Sequence, residues 1–174
     1  MRILIAYSSK NGTTYNCARL LAEKLPSSLE VKVENLAEST PDANEYDIVV
    51  IGGAIRMEKL DKRVRRFLKV NKNALSEKPC AVFILCGFPE NFDEYSETQL
   101  PRGFTPSLGV HHFGGELKPN KLRGFDKLVV GMMRSTIRSR ELGEKATESF
   151  TLPELIPENI ALLAEKIRNT AFNQ

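Results

Sequence analysis

The sequence predicts an α/β fold in which a doubly wound parallel sheet of five strands carries helices on both faces. Several short apolar runs show no polar alternation, which is typical of strands buried on both sides. Between these runs, apolar residues recur at helical spacing, so strand and helix patterns alternate along the chain. The 174 residues, 41% of them hydrophobic, suit a single domain over residues 1–174.

The first half of the chain alternates between the two patterns. Residues 2–7 are a short apolar run, and a helical pattern follows from Thr14 and ends at Pro26. The apolar positions of this helix are Ala18, Leu21, Ala22 and Leu25. Residues 29–36 alternate apolar and charged side chains, which predicts a strand with one wet face near a sheet edge. The link over residues 35–46 is where a short or degenerate helix would cross over.

The second half continues the alternation with a longer interruption. Residues 47–51 and 80–87 are apolar runs next to glycines, and each predicts a buried strand. A helix is predicted between them, with an apolar face of Leu60, Val64, Phe67 and Leu68. Residues 88–108 are polar, residues 109–117 predict the fifth strand, and a last helix is predicted from Pro157. The buried face of that last helix consists of Ile160, Leu163, Ala164 and Ile167.

Composition excludes several classes of protein. The formal net charge of +3 and the pI of about 8.8 are too weakly basic to indicate nucleic-acid binding. No apolar run reaches the roughly 18 residues of a membrane span. The apolar run at the start of the sequence is too short for a signal peptide. The three cysteines form no CxxC pair, so we expect no disulfide framework and a cytoplasmic location. No cluster has metal-ligand spacing, and the adjacent His111 and His112 face opposite sides of a strand.

The turn "YSSKNGTT", between the first strand and the first helix, is crowded with hydroxyl groups. A helix N-terminus favours an anion, and the hydroxyls of Ser8, Ser9, Thr13 and Thr14 can donate to phosphate oxygens. Asn11 and Gly12 tolerate the backbone of a tight turn. The alternative is a plain capped turn with Thr13 or Thr14 as the N-cap.

Three other kinds of phosphate site do not fit the sequence. The P-loop pattern GxxxxGK[ST] is absent, and no GxGxxG follows the first strand. A phosphatase loop needs a cysteine followed closely by arginine, whereas no arginine follows Cys86 before Arg102.

Three segments resemble the flavodoxin family. "ILIAYSSKNGTT" looks like the loop with which flavodoxins bind the phosphate of FMN. "YDIVVIGGAIRMEKLDKRVRRFL" and "HHFGGELKPNKLRGFDKLVVGMM" resemble a subfamily that includes the menaquinone-dependent protoporphyrinogen oxidases of bacteria. The resemblance implies strand order 2-1-3-4-5 and FMN bound without a covalent bond at the carboxyl ends of the strands.

The resemblance also implies roles for three loops. The first loop would bind the phosphate and consists of Ser8, Ser9, Lys10, Asn11, Gly12, Thr13 and Thr14. The second would run along the flavin ring and consists of Gly53, Ala54, Ile55, Arg56 and Met57. The third would close the opposite side of the ring and includes Cys86, Gly87, Phe88 and Phe92. Arg56 is either a solvated side chain or a contact to the flavin or to substrate carboxylates. Phe88 or Phe92 either stacks on the ring or is simply buried. No side chain is expected to act as a nucleophile.

The sequence departs from ordinary flavodoxins in three ways. It is basic where they are strongly acidic, it has no Trp, and residues 90–108 match neither pattern well. The implied function is an FMN-dependent oxidoreductase that passes electrons from a porphyrinogen to a quinone. The alternatives are an electron carrier between redox partner proteins and, in a third class, a flavin-free binding module.

Two basic segments leave a further choice open. Lys62, Arg63, Arg65, Arg66 and Lys69 crowd one predicted helix, which is either a solvated face or a docking site for an acidic protein or an anionic membrane. Residues 128–133 are apolar and precede Arg134, Arg138 and Arg140. That second segment is either core or an interfacial helix that would give peripheral membrane contact near a quinone.

Overall fold

A twisted sheet of parallel strands forms the centre of the molecule. The computed structural model describes residues 1–87, 89–115 and 154–173. The strands are β1 (Arg2–Tyr7), β2 (Glu30–Asn35), β3 (Ile48–Arg56), β4 (Lys59–Leu60), β5 (Cys80–Leu85) and β6 (Val110–His112). Five of them lie parallel in the order β2-β1-β3-β5-β6, and β4 pairs antiparallel with β3. The predicted fold class and strand order are therefore confirmed, with β4 as an added strand.

Helices cover both faces of the sheet. They are α1 (Thr13–Glu23), α2 (Lys62–Val70), α3 (Lys72–Ser76), α4 (Phe92–Thr98) and α5 (Pro157–Phe172), with 3₁₀ turns at Ala43–Glu45 and Pro89–Asn91. Helices α1 and α5 pack on the face that carries Ile3 and Ile5. Helices α2 and α3 pack on the face that carries Leu4 and Val49. The short 3₁₀ turn at Ala43–Glu45 is the degenerate crossover expected between β2 and β3.

Burial explains why the strand patterns differ. Every residue of β5 is buried, as are all but the first of β1 and the first six residues of β3, because helices cover both sides of these strands. Strand β2 lies at the sheet edge and has no fully buried residue. The alternating sequence of β2 therefore reports an edge position, as expected.

The segment after the third strand differs from the prediction. Residues 53–57 are predicted as a loop, but β3 continues to Arg56 and turns back into β4, so that Ile55 pairs with Leu60. Helix α2 consequently begins at Lys62, where the side chain of Asp61 accepts a hydrogen bond from the backbone N–H of Arg63 at 2.9 Å. Leu60 is buried as predicted, but it lies on the hairpin and not on the helix.

Three further expectations have mixed outcomes. Of the predicted fifth strand at 109–117, the described residues 109–115 form a strand at 110–112, and residues 116 and 117 lie outside the described residues. The polar stretch 88–108 contains helix α4, which the sequence pattern does not indicate. Phe88 and residues 128–140 lie outside the described residues. Among the helices of the described ranges, none combines the length and the apolar character that a bilayer crossing requires.

His111 is expected to make stability depend on pH. Its ring is buried on β6, its Nε2 lies 2.9 Å from the Leu108 carbonyl oxygen, and burial lowers its pKa below the usual value, with Lys166 acting in the same direction. The unfolded chain therefore takes up this proton first, at about pH 6.5. The free energy of unfolding should be unaffected by this group above that pH and should fall as pH drops through it.

Urea unfolding at a series of pH values from about 8 to about 5 checks this expectation. The variant His111→Gln keeps a hydrogen-bond donor and should show a shallower loss of stability on acidification. An identical pH profile for the variant and the natural protein would contradict the assignment to His111.

Candidate functional site

The carboxyl ends of the central strands lie side by side and bring the three predicted segments together. Tyr7 of β1 pairs with Gly52 of β3, and Ala54 of β3 pairs with Leu85 of β5. The chain that follows each strand therefore emerges at one edge of the sheet. In doubly wound sheets this edge is where ligands bind.

The first segment is a turn that ends at the N-terminus of α1. Gly12 is the N-cap residue with a φ of +87°, and its backbone N–H donates to the Ser9 hydroxyl oxygen at 3.0 Å. The Ser8 N–H donates to the Gly52 carbonyl oxygen at 3.1 Å, which ties the turn to β3. The alternative in which Thr13 or Thr14 is the N-cap is wrong, because both residues are already helical.

This turn has the features that an anion site requires. Ser8 and Thr14 are buried, Ser9, Asn11, Gly12 and Thr13 are half-buried, and Lys10 is exposed. The first turn of α1 contains no acidic residue, so nothing there opposes a negative ligand. A Cβ placed on Gly12 would meet nothing within 4 Å, so the space outside the turn is open. A phosphate group fits a turn with these hydroxyls and this helix N-terminus.

The second segment is the β3–β4 hairpin. Its turn residues Met57 and Glu58 have φ values of 49° and 61°, the left-handed backbone that a type I′ turn uses at both positions. Neither residue is glycine, so each costs roughly 1–3 kcal/mol of backbone strain. The side chain of Met57 is 70% exposed. The predicted residues Ala54, Ile55 and Arg56 are half-buried on the strand that leads into this turn.

Gln99 stabilises the strained hairpin from the end of α4. Its Oε1 accepts a hydrogen bond from the Leu60 N–H at 2.9 Å, and its Nε2 donates to the Glu58 carbonyl oxygen at 3.3 Å. The Arg65 Nε also donates to the Leu60 carbonyl oxygen at 3.0 Å. These contacts fix the conformation of the second segment. Sequence reasoning missed Gln99, because it lies in the polar stretch for which no pattern was found.

Gly53 has a packing role in addition to its predicted place beside the flavin. A Cβ at this position would lie 2.8 Å from Leu60 Cδ1 and 3.0 Å from Val64 Cγ2. A side chain here would require Leu60 and Val64 to shift, so glycine favours the close packing of β4 and α2 against β3. This contact sets the position of the hairpin at the edge of the sheet.

The third segment begins at Cys86, whose thiol contacts a histidine. Cys86 Sγ lies 3.2 Å from His112 Nε2, and the same nitrogen lies 3.2 Å from the Cys86 carbonyl oxygen. The ring of Phe92 stacks on the His112 ring with centroids 5.0 Å apart. Asn159 on α5 donates to the His112 carbonyl oxygen at 2.7 Å. His112 thus joins the site, although sequence reasoning assigned it no role.

The chain after β6 closes against the third segment. The Cys86 N–H donates to the Gly114 carbonyl oxygen at 3.0 Å. A Cβ on Gly115 would lie 2.6 Å from the Cys86 carbonyl oxygen, so the two backbones are in direct contact. Gly87 is half-buried beside this contact. Cys86 and Gly87 are therefore held by backbone packing as well as by His112.

The two histidines behave as the strand geometry predicts. His111 points to the Leu108 carbonyl group, and His112 points to Cys86, so they form no paired site. Within the described ranges, no group of three or more His, Cys, Asp or Glu residues is arranged to hold a metal ion. None of the three cysteines, all of which are described, forms a disulfide.

Comparisons with known proteins match this architecture. Residues 4–141 match the family model of the flavodoxin domain. An oxidoreductase from Corynebacterium diphtheriae is similar in structure, with a TM-score of 0.58, 14% identity, and coverage of 100% of this chain and 98% of its own. A flavodoxin from Streptococcus pneumoniae TIGR4 gives a TM-score of 0.52 and 18% identity over 98% of this chain and 99% of its own. A flavodoxin from the domain Archaea gives a TM-score of 0.52 and 16% identity over 97% and 99%.

These identities are low, so the structural matches establish the fold alone. A search of curated proteins finds no significant match to the sequence. Neither the family model nor these structures indicate a porphyrinogen oxidase. The match is to the flavodoxin domain at large.

Proposed function

The chain belongs to the flavodoxin domain family, and from this premise we propose that it binds FMN without a covalent bond and transfers electrons through it. The observation that carries the proposal is the open, hydroxyl-lined turn that Gly12 caps at the N-terminus of α1. Bound FMN supplies the redox chemistry, and the protein supplies binding, orientation and electrostatics. The residues of the three segments fit such a group.

Each segment has a distinct part in this proposal. The hydroxyls of Ser9 and Thr14 and the N–H groups of the α1 N-terminus would hold the phosphate. The β3–β4 hairpin, fixed by Gln99, would lie along the flavin ring at the edge that carries Arg56. The third segment, held by His112, would border the other side of the ring. Phe92 packs on His112, so its ring supports that side through the histidine.

Purified protein mixed with FMN is expected to retain the flavin through gel filtration and to show its visible absorption bands. FAD should bind much more weakly, because none of the three segments, as far as the structure describes them, resembles an adenine pocket. Fluorescence titration with FMN, FAD and riboflavin measures the three affinities. If no flavin is retained, the protein is instead a flavin-free binding module and the proposal is wrong.

A second candidate is the oxidation of a porphyrinogen with transfer of its electrons to a quinone. The observation that favours it is Arg56 at the end of β3, which pairs in register with the exposed Lys59 of β4, since a porphyrinogen carries carboxylates. Anaerobic turnover of a porphyrinogen with a menaquinone analogue tests this candidate. Flavin binding without such turnover would favour an electron carrier between protein partners.

A further inference from the structure

A basic surface begins at the candidate flavin site and continues along α2. We define the α2 basic surface as Lys59, Lys62, Arg63, Arg65, Arg66 and Lys69. All of these side chains are exposed, while Val64, Phe67 and Leu68 on the opposite side of the helix are buried in the core. The surface starts at the hairpin because β4 leads directly into α2.

Carboxylates of residues 1–87, 89–115 and 154–173 leave these cations almost unneutralised. Asp61 is the only carboxylate in the described part of the chain that lies within ion-pair distance of the surface, and its Oδ2 is 3.8 Å from Arg63 Nη1. The exposed acids of α4, Asp93, Glu94 and Glu97, form no ion pair with the surface in the described part of the chain. Helix α4 meets the hairpin through Gln99, which accepts a hydrogen bond from the Leu60 N–H.

The cations oppose the stability of the helix that carries them. The first turn of α2 contains no acidic residue, and Lys62 and Arg63 lie at the end where the helix dipole is positive. Like charges also repel one another at i,i+4 spacing, as between Lys62 and Arg66. The arrangement therefore disfavours the isolated helix. A negatively charged partner would relieve the repulsion among these cations, and this relief would add to the free energy of binding.

An exposed apolar side chain completes the surface beside the site. Met57 is 70% exposed at the tip of the hairpin, two residues before Lys59. Its backbone is held in the left-handed region by the Gln99 contacts to Glu58 and Leu60. A flexible apolar side chain on a fixed turn, with cations beside it, resembles the core and rim of a protein interface.

We propose that the α2 basic surface and Met57 form the docking site for an acidic electron-transfer protein, which binds next to the flavin site. The inference rests on the proposed function, because electron transfer to or from a partner at this surface requires a bound flavin. Complementary charge would steer the partner and raise its association rate. Met57 would fill an apolar contact at the point of closest approach.

The test uses a reduced, acidic [2Fe–2S] ferredoxin as the probe. Stopped-flow absorbance follows reduction of the flavin in the natural protein and in two variants. The surface variant is Lys62→Glu with Arg66→Glu. The control variant is Lys24→Glu with Arg168→Glu, which makes the same change in net charge on the α1 and α5 side of the sheet.

The surface variant should be reduced at least about tenfold more slowly at low salt, whereas the control variant should differ little. The difference should vanish in about 1 M salt, where charges are screened beyond about 3 Å. In about 1 M salt, where its own negative charge is screened, the small reductant dithionite should reduce all three proteins at similar rates. Met57→Ser should also slow reduction by the ferredoxin, and that effect should persist in high salt.

Equal reduction rates for the surface and control variants would overturn the inference. Binding of the flavin-free protein to the oxidised ferredoxin, measured by calorimetry, separates this outcome from a failure of flavin binding. Surface-dependent binding there supports the docking site even if no flavin is bound. Binding to phosphatidylglycerol vesicles tests a membrane as the partner instead. If the surface variant loses vesicle binding but reacts with the ferredoxin as the natural protein does, the partner is a membrane and the inference is overturned.

Discussion

Gly52→Ala is expected to destabilise the protein by about 1–3 kcal/mol, the range for overpacking a well-filled core. A Cβ on Gly52 would lie 1.9 Å from Phe83 Cζ on the neighbouring strand. The Phe83 ring cannot simply move aside, because it stacks on Phe113 with centroids 4.5 Å apart. Urea unfolding of the natural protein and the variant measures the loss.

A double-mutant cycle identifies the clash as the cause. Phe83→Leu removes the ring, so Gly52→Ala should cost much less in the Phe83→Leu background than in the natural protein. An equal cost in both backgrounds would show that the ring is not what excludes a side chain. The Gly52 carbonyl also accepts the Ser8 N–H, so Gly52→Ala should weaken FMN binding as well.

Ser9→Ala and Thr14→Val are each expected to weaken FMN binding by about 1–3 kcal/mol, or about 5–150-fold in Kd, the range for a hydrogen bond to a charged group. Riboflavin lacks the phosphate, so its affinity should change far less. Thr14 is 2% exposed, and valine preserves its shape while removing the hydroxyl. Thr14→Ala should weaken FMN in the same direction. Flavin fluorescence titrations give both affinities.

The matched control for the phosphate prediction is Ser76→Ala. The Ser76 hydroxyl donates to the Lys72 carbonyl oxygen within α3, away from the site, so its loss should leave both flavin affinities unchanged. Unfolding curves show whether any variant is merely less stable. If FMN and riboflavin lose affinity equally, the turn does not bind the phosphate.

The central strands could be predicted because their burial is visible in the sequence. Strands β1 and β5 are continuous apolar runs, and a strand covered on both faces tolerates few polar residues. The edge position of β2 was equally visible from its alternation. The turn after β1 was found because its hydroxyls and Gly12 are local features, and no distant contact is needed to recognise them.

The hairpin could not be predicted because its turn lacks the usual residues. Met57 and Glu58 adopt the left-handed backbone without glycine or asparagine, and the contacts that hold them come from Gln99, far along the chain. The contact between Cys86 and His112 depends in the same way on the pairing of β5 with β6. Such features arise from tertiary structure, and a single sequence carries no local signal for them.

The position of α5 in the chain has a consequence for synthesis on the ribosome. Ile160 and Ile167 of α5 fill the same core as Ile3 and Ile5 of β1. At about 5–20 residues per second, the roughly 100 residues between β3 and α5 take on the order of 5–20 s to emerge. During that interval, of the helices in the described ranges that pack on this face, only α1 is present to shield it. We therefore expect translation speed and chaperone binding to the incomplete chain to affect the yield of folded protein.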